Sequence, residues 1–355
     1  MFAGRAWPTA LLSCVLASPG TAQTPDPLFA GYSFAPPSVG SRPAGLGGAF
    51  VGLADDTKAA VVNPAGLTLI PLTEVALSSG ERWAAASAGR RLVRLAGYLT
   101  RSDAQASALE SSVWEGGLAA GFQPIRRASL GVAVAWSRLG LESTSRPAGT
   151  PTSSENTQVR FTAGVLLDLL DSTHRRLPAL RLGLSYQPGF DWSLRLPPSP
   201  GAAPAPIDVR RPTRIAAGLA YRPSDRWTLA AQGDLIRYRE VVDTLQRNSS
   251  TLAEDWRLPD VVEPRVGVEF SAPLWCGCGV VRLRSGLHYR SSGSLRYAGA
   301  DAMLAQAFDH DPWETAASLG ASFFAEHFGH ALRIDVDSRN VFDGPDLSFG
   351  VVFRF

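Results

Sequence analysis

The sequence has few charged residues and no long apolar run beyond its N-terminal segment. Asp, Glu, Lys and Arg make up 19% of its 355 residues. Because no window of about 18 apolar residues follows the N-terminus, the sequence excludes a membrane-spanning helix. Without Arg5, which lies in a segment that we expect to be removed, 33 basic side chains stand against 32 acidic ones. This near-neutral balance offers no overall field that would recruit nucleic acid or acidic substrates.

The cysteines are too few for a disulfide framework. The chain has three, and Cys14 lies in the N-terminal segment, which leaves only Cys276 and Cys278. Separated by one glycine, these two can form a local disulfide or remain free thiols, and the sequence leaves both open. No other ligands accompany them in the pattern of a zinc site, and we predict no metal site and no cofactor.

Residues 1–22 have the features of an export signal. Arg5 is their only charge, a short apolar core spans residues 10–18, and small residues precede Gln23. Cys14 gives the segment a faint likeness to a lipoprotein cleavage site, but the positive region before it is thin. We therefore predict export with removal of residues 1–22 and no lipid anchor.

A stretch rich in glycine and alanine, Ser41 to Leu67, follows a proline-containing lead-in and closes on Asn63-Pro64-Ala65-Gly66. Its glycines do not form a phosphate-binding loop, because Phe50 occupies the position of the last glycine in G-x-G-x-x-G and no Gly-Lys-Ser/Thr follows. Glycine allows close backbone packing. We therefore interpret the stretch as a compact plug.

From Thr73 onward, apolar and polar residues alternate. In one example, Leu180, Leu182 and Leu184 alternate with polar residues or glycine. Such a period of two gives each strand one apolar and one polar face. Most of the segments are about 9 to 16 residues long, enough for a tilted bilayer crossing. The fourteen predicted strands are 73–80, 82–90, 92–101, 114–123, 128–139, 157–170, 178–193, 211–222, 226–241, 261–272, 279–291, 313–325, 330–340 and 346–355.

The connections between these strands alternate in length. Short turns on one rim and long loops on the other are typical of outer-membrane barrels, and closure removes the unpaired strand edges that hydrocarbon does not tolerate. A secreted β-sandwich would explain the alternation but not the loop asymmetry or the terminal Phe355. We therefore predict an all-β fold: a transmembrane antiparallel β-barrel. Long connections are expected after residues 101, 139, 193, 241 and 291, and short turns at 124–127, 223–225, 273–278 and 326–329.

The segment from Arg42 to Leu67, with Gly47-Gly48-Ala49-Phe50, Ala54-Asp55-Asp56 and Asn63-Pro64-Ala65, resembles the N-terminal region of the FadL/TodX family of outer-membrane hydrophobe transporters. Barrels of the PorV type share this opening. The resemblance continues through residues 180–192, 214–227 and the closing strands. It implies a barrel at residues 73–355 with an extension and hatch at residues 23–72 inside the lumen. It also implies bacterial outer-membrane localisation and passive uptake of long-chain fatty acids or aromatic hydrocarbons, which would leave through the hatch or a lateral opening.

The candidate site residues follow from the resemblance and from the alternation. Arginines on the polar strand faces could bind a ligand carboxylate by charge-assisted hydrogen bonds, or they could pair with acidic residues in the lumen. As hatch or gating residues we predict Asn63, Pro64, Ala65, Gly47, Gly48, Asp55 and Asp56. As lumen ligand contacts we predict Arg265, Arg282, Arg284, Arg290 and Arg333.

Other functions are less well supported by the sequence. A PorV-like, non-enzymatic partner of a secretion or surface-attachment system is the main alternative, and a purely structural barrel is a third. An enzyme is not expected, because His288 is the only histidine in the middle of a predicted strand and has no serine motif beside it. The tripeptide Asp309-His310-Asp311 could hold a divalent cation, although a solvated loop explains it better. Further expected partners are lipid and lipopolysaccharide, and the barrel-assembly machinery through the strand that ends at Phe355.

Overall fold

A computed structural model describes residues 29, 32–36, 40–79, 82–90, 92–106, 109–143, 152–170, 178–196, 205–248, 255–309, 311, 313–327, 330–341 and 346–355. The proposed signal at residues 1–22 and the candidate loop residue His310 lie outside this part of the chain. Among the described residues, no helix has the length and apolar character needed to cross a membrane.

The described chain is dominated by strands. Its elements in chain order are α1 (Ser41–Gly45), α2 (Ala59–Val62), a 3₁₀ helix (Pro64–Leu69), β1 (Glu74–Ser78), β2 (Arg82–Arg90), β3 (Val93–Ala106), β4 (Leu109–Ile125), β5 (Ala128–Ser143), β6 (Thr152–Leu170), β7 (Ala179–Gln187), β8 (Phe190–Leu196), β9 (Ala205–Arg211), β10 (Arg214–Arg222), β11 (Trp227–Ile236), α3 (Arg239–Asn248), β12 (Trp256–Arg257), β13 (Val261–Pro273), β14 (Val280–Ser291), β15 (Arg296–Tyr297), α4 (Ala302–Ala307), β16 (Trp313–His327), β17 (His330–Arg339) and β18 (Asp346–Arg354).

Fourteen of these strands close into one antiparallel barrel. Around the wall the order is β1, β2, β3, β4, β5, β6, β7, β10, β11, β13, β14, β16, β17 and β18. The barrel closes where β1 pairs with β18, with Glu74 opposite Arg354 and Ser78 opposite Gly350. Closure pairs every one of these fourteen strands with a neighbour on both sides, and it confirms the predicted fourteen-stranded, all-β barrel.

The two faces of the wall differ as the alternation predicts. On β4 and β5 the outward side chains of Leu118 and Val132 are 65% and 59% exposed, whereas their neighbours Ala119 and Ala133 are buried. The buried face also carries polar side chains such as Arg284 and Asp335. The barrel therefore presents an apolar exterior, as a barrel surrounded by lipid requires, and its inner wall face carries small and polar side chains.

Several strand boundaries differ from the sequence prediction. Strands β3 to β6 extend beyond the predicted ends, and the pairing of β3 with β4 continues up to Ala106 opposite Leu109, where a long loop was expected. These extensions are rich in Ser and Glu, which we expected to find in loops. Because strand pairing satisfies the backbone whatever the side chains are, polar residues can prolong a hairpin into water.

The predicted strands 178–193, 211–222 and 226–241 were wrong at their long-loop ends. The first is interrupted at Pro188 and Gly189, since proline cannot donate a ladder hydrogen bond; the barrel strand ends at Gln187, and Phe190 begins the separate β8–β9 hairpin. The second begins at Arg214 rather than Arg211. The third ends at Ile236 and is followed by α3.

The described parts of the long connections fold over one mouth of the barrel. We call this structure the outer cap; it comprises Phe29, residues 32–34, β8, β9, α3, β12, β15 and the barrel residues packed against them. Trp192 is buried in it and donates a hydrogen bond from Nε1 to the carbonyl oxygen of Ser137 (3.0 Å). Trp256 packs edge-on against Phe308 with ring centroids 4.5 Å apart. The cap gives this mouth an apolar inner layer. The opposite, short-turn rim carries the start of β1 and the end of β18.

Candidate functional site

Residues 40–70 lie inside the barrel, and we call them the lumen segment. Almost all of their side chains are buried, including Leu46, Phe50 and Leu67 with no exposed area. Their backbone and side chains contact strands on all sides of the wall, from β4, β5 and β6 to β14, β16 and β17. The segment therefore fills the lumen across its width.

Local sequence explains why the segment is compact. Gly47 and Gly48 have positive φ angles of 63° and 82°, which glycine adopts without steric cost, and they turn the chain after α1. Asn63 precedes the 3₁₀ helix that Pro64 begins, and its Nδ2 donates to the carbonyl oxygens of Val51 (3.0 Å) and Val165 (3.2 Å). The side-chain amide of Asn63 thus links the two halves of the segment and attaches them to strand β6.

A ring of wall glycines receives the segment, and we call it the glycine belt. At Gly131 a Cβ would overlap the backbone of Pro64 and Ala65, and at Gly286 it would overlap that of Leu46 and Gly47. At Gly267 it would lie 2.6 Å from the carbonyl oxygen of Leu46. No L side chain fits at such distances, so the belt sets how closely the two backbones approach. Its members are Gly121, Gly131, Gly164, Gly183, Gly218, Gly267 and Gly286, and several are cross-strand partners.

Wall side chains satisfy the backbone groups of the segment. The Oε1 of Gln232 accepts from the backbone N–H groups of Phe50 (2.9 Å) and Val51 (2.8 Å). Further bonds join Gly47 N to Ser318 Oγ (2.9 Å), Thr57 N to Glu74 Oε1 (2.8 Å), Ser185 Oγ to Val62 O (2.7 Å) and Gln187 Nε2 to Val61 O (3.1 Å). Because buried backbone groups are costly to leave unpaired, these six bonds fix the segment against strands around the barrel.

A buried ion-pair network holds one side of the segment. The guanidinium of Arg42 donates to both carboxylate oxygens of Glu269 (3.0 and 3.1 Å) and pairs with Asp55. Asp56 pairs with Arg333 (3.0 Å). The glycines Gly47 and Gly48 and the carboxylates of Asp55 and Asp56, all predicted as hatch residues, therefore lie in the lumen with Asn63, Pro64 and Ala65.

The charges of the segment depend on one another. Burial alone would raise the pKa of Asp55, but the guanidinium groups of Arg42 and Arg222 outweigh it and hold that pKa well below its usual range. The pKa of Asp56 is also lowered, because Arg333 and Lys58 outweigh the effect of burial. Burial lowers the pKa of Lys58, against the opposing charge of Asp56. Both carboxylates are thus ionised at neutral pH.

The five arginines predicted as ligand contacts do not form one cluster. Arg265 and Arg290 line the cavity described below, whereas Arg284 and Arg333 belong to the buried network. The guanidinium of Arg282 stacks over Phe324, with Cζ 5.6 Å from the ring centroid. The other four have acidic partners: Arg265 pairs with Asp234 (2.8 Å) and Glu263 (3.0 Å), Arg284 with Asp335 (2.7 Å) and Asp337 (2.9 Å), Arg290 with Glu314, and Arg333 with Asp56 and Asp335 (2.9 Å).

A cavity of about 410 Å³ lies between the lumen segment and the outer cap, and we call it the outer cavity. Its apolar lining comes from Tyr32, Pro43, Phe50 and Val62. Glu263 in its polar lining is paired: it accepts from the backbone N of Ser291 (3.1 Å) and lies 3.0 Å from His288 Nε2. Polar wall residues of the cavity include Arg214, Glu263, Arg265, His288 and Arg290.

The wall is lowest beside β1 and β2. These strands end at Ser78 and begin at Arg82 on the long-loop side, whereas β3 and β4 continue well beyond that level. A groove of about 490 Å³ opens there between Leu77, Leu99 and Phe349. On its inner side Trp83 stacks on Tyr98, with ring centroids 5.5 Å apart. We call it the wall groove.

Sequence reasoning missed the glycine belt and the double acceptor Gln232. The belt had a detectable signal, because Gly183 and Gly267 occupy polar-face positions of strongly alternating strands. Gln232 had none, since a glutamine on an inward face is typical of any barrel. Among the described residues, no group of three or more His, Cys, Asp and Glu side chains is placed to hold a metal ion.

Comparisons with known proteins identify the fold. No family model matches the sequence, and a search of curated proteins found no match. Among solved structures, a FadL homologue from Pseudomonas aeruginosa aligns with a TM-score of 0.64 at 12% identity, over 90% of this chain and 98% of that one. The toluene transporter TodX of Pseudomonas putida aligns at 0.57 and 13% identity, over 90% and 98% of the two chains. The monoaromatic hydrocarbon channel CymD aligns at 0.55 and 13%, over 89% and 96%. At this identity the likeness concerns the fold, which is of the FadL/TodX type.

Proposed function

We propose that this chain, which has the FadL/TodX-type fold, is a bacterial outer-membrane barrel that passively transports hydrophobic compounds. Export by residues 1–22, a hatch within residues 23–72 and a barrel at residues 73–355 are parts of this proposal. The observation that carries it is the outer cavity, an amphipathic space enclosed between an apolar cap and a filled lumen.

The size and lining of the outer cavity suit a small hydrophobic molecule. Its volume of about 410 Å³ lies within the range of small-molecule sites, which are mostly apolar with a few polar groups. A ligand gains about 0.8 kcal/mol for each CH₂ that it buries. Tyr32, Phe50 and Val62 provide the apolar contacts for such burial.

The paired charges favour an uncharged compound over a fatty-acid anion. Arg265 and Arg290, the two predicted ligand contacts that line the cavity, already contact carboxylates. A ligand carboxylate would have to compete with Asp234, Glu263 or Glu314, and a buried charge without a partner is expensive. Of the two expected classes, aromatic hydrocarbons therefore fit the cavity better than long-chain fatty acids.

We further propose that Asn63, Pro64, Ala65, Gly47, Gly48, Asp55 and Asp56 form a closed floor beneath the cavity. The glycine belt and the six wall hydrogen bonds support a floor that stays in place during transport. The wall groove then offers a sideways exit, because Trp83 lines it and stacks on Tyr98 at its inner side. The compound would enter through the outer cap and leave sideways.

Uptake measurements test this proposal with a matched pair of variants. Ala316 lines the outer cavity, whereas Ala317 lies opposite Leu287, which faces outward. We expect the chain, placed in cells that lack other hydrophobe channels, to increase uptake of radiolabelled toluene. Ala316→Phe should reduce that uptake by filling the cavity, and Ala317→Phe should leave it unchanged. Uptake of toluene and of fatty acids equal to that of cells without the chain would refute the transport function.

A partner role in a secretion or surface-attachment system is the second candidate. It is favoured by the same filled lumen, because a barrel that acts as a docking partner needs no passage. Affinity purification distinguishes the two: stable recovery of a secretion complex or its cargo would support the partner role. Neither role requires catalytic residues or a cofactor. Contacts with lipopolysaccharide, and recognition of the strand ending at Phe355 by the barrel-assembly machinery, are also part of the proposal.

A further inference from the structure

The turn between β13 and β14 carries a disulfide on the short-turn rim. Cys276 and Cys278 are bonded to each other, with Cα atoms 5.2 Å apart. Both residues are exposed, and Trp275 beside them is fully exposed. The disulfide is thus presented to the solvent next to an apolar side chain that contacts no core.

The barrel does not depend on this bond. Strands β13 and β14 remain paired up to Pro273 opposite Val280. The turn is then closed by backbone hydrogen bonds from Leu274 N to Gly279 O (2.9 Å) and from Gly277 N to Leu274 O (3.0 Å). A cross-link between residues two apart closes a very small loop, for which the stabilisation by loop closure is least. The bond therefore adds little to a turn that the backbone already defines.

The geometry also permits reversible opening. Both cysteines are exposed, and apart from them nothing lies within 4 Å of the position that a Cβ of Gly277 would take, so the disulfide is open to solvent. The positive φ of Gly277 (64°) belongs to the hydrogen-bonded turn and does not need the disulfide. After reduction the two thiols stay adjacent, which favours their reoxidation within the same turn.

We propose that Cys276 and Cys278 form a thiol–disulfide exchange site that accepts two electrons from a dithiol oxidoreductase protein. Exposed disulfides are the exchangeable ones, whereas buried structural bridges resist reduction. Trp275 supplies an apolar contact for the partner beside the bond. In the orientation of the proposed outer-membrane barrel, this rim faces the periplasm, and the inference rests on that orientation for the location of the partner.

The exchange balances as two thiol substitutions. A thiolate of the partner attacks one sulfur, the Cys276–Cys278 bond breaks, and a mixed disulfide forms while the released sulfur leaves as a thiolate and takes a proton. The second thiol of the partner then attacks the mixed disulfide and releases the other cysteine. The turn has gained two electrons and two protons, and the partner has become a disulfide.

Reduction of the folded protein tests the site. The full chain in detergent micelles is incubated with catalytic thioredoxin, its reductase and NADPH, and then alkylated without denaturant. We expect a mass increase of two alkyl groups on the peptide that contains Cys276 and Cys278, with the barrel still folded by its heat-dependent gel mobility. The double variant Cys276→Ser/Cys278→Ser should show no increase. No alkylation until the chain is unfolded would overturn the inference.

Two further measurements separate docking from simple accessibility and from orientation. Trp275→Ser should slow reduction by thioredoxin but not by dithiothreitol; equal slowing or none would refute the apolar contact. In cells treated with a reductant, a membrane-impermeant maleimide should label the cysteines only after the outer membrane is permeabilised. Labelling of intact cells would refute a periplasmic partner while leaving the transport measurements unaffected.

Discussion

Adding one methyl group to the glycine belt should disturb the lumen segment without altering any charge. Gly131 on β5 and Gly286 on β14 lie on nearly opposite sides of the barrel, and in each case the new Cβ would meet the backbone of the segment. Backbone cannot move aside as a flexible side chain can. We therefore expect Gly131→Ala and Gly286→Ala to displace the part of the segment that each one touches.

The magnitude follows from two opposing effects. Overpacking a close contact costs about 1–3 kcal/mol, whereas replacing glycine by alanine in a strand gains about 0.5–1 kcal/mol from the restricted unfolded chain. The difference spans about 0–2.5 kcal/mol, and because the Cβ would overlap backbone atoms at both positions, we expect a net loss of about 0.5–2 kcal/mol. Gly233→Ala on β11 is the matched control, because nothing lies within 4 Å of its Cβ position; it should be neutral or slightly stabilising.

Hydrogen exchange of the detergent-solubilised barrel measures the effect. A loss of about 0.5–2 kcal/mol in local stability corresponds to roughly 2- to 30-fold faster exchange of the protected amides. The increase should concern Ala65 and Gly66 in Gly131→Ala, and Gly47 and Ala49 in Gly286→Ala, while the wall strands stay protected. Exchange in both variants equal to that of Gly233→Ala would refute the idea that the belt sets the position of the segment.

Three further predictions concern the polar contacts of the lumen segment. Arg42→Met should destabilise the folded barrel by up to about 3–5 kcal/mol, because it removes the guanidinium that contacts both carboxylate oxygens of buried Glu269 and leaves only the longer contact with Arg284 (3.4 Å); chemical unfolding checks this, and Arg42→Met/Glu269→Gln should recover part of the loss. Asn63→Ala should weaken protection of the 3₁₀ helix by about 1–3 kcal/mol, since two buried carbonyl groups lose their donor; unchanged exchange would contradict the role of the amide. Folding lowers the pKa values of Asp55 and Asp56. The two ionised carboxylates therefore stabilise the folded segment at pH values above the ordinary aspartate pKa of about 3.9, and this stabilisation is lost as the pH falls from there towards the lower pKa values of the folded protein. Protection of the segment should therefore be constant from neutral pH to about 5 and decrease below 4, and a decrease that begins near pH 6 would point to other groups.

Strand number and closure could be predicted from the sequence because they depend on a period of two and on loop parity. Each wall strand, such as the one that contains Leu118 and Ala119, must present one face to lipid and one to the lumen. The breaks at Pro188 and after Ile236 could not be placed as well. They depend on how the long connections pack into the outer cap, which involves contacts far apart in the sequence, such as that of Trp192 with Ser137.

The position of the plug was predicted by resemblance, but its attachment was not predictable. Inward arginines were recognised from the alternation, yet the partner of each one depends on the barrel register. Arg284 on β14, for example, pairs with Asp335 and Asp337 on β17, and β16 lies between these two strands. The alternation likewise reveals that Gly286 faces inward. It does not reveal that the backbone of Gly47 lies directly against it.

The attachments of the lumen segment favour local opening over its withdrawal as a unit. Withdrawal would break the six hydrogen bonds between segment backbone and wall side chains and the bond from Asn63 to Val165, each worth about 0.5–1.5 kcal/mol, and would also separate Arg42 from Glu269 and Asp56 from Arg333. Breaking a single buried ion pair costs about 3–5 kcal/mol, so the total exceeds the binding energy that a small hydrocarbon in the outer cavity could contribute. By contrast, rotation of Trp83 away from Tyr98 at the wall groove breaks one aromatic contact, worth about 0.5–1.5 kcal/mol. A passage beyond Ser78 and Trp83, the last paired residues of β1 and β2 on this side, therefore needs less energy than one through the floor. Trp83→Ala should increase uptake, and unchanged uptake would place the passage elsewhere.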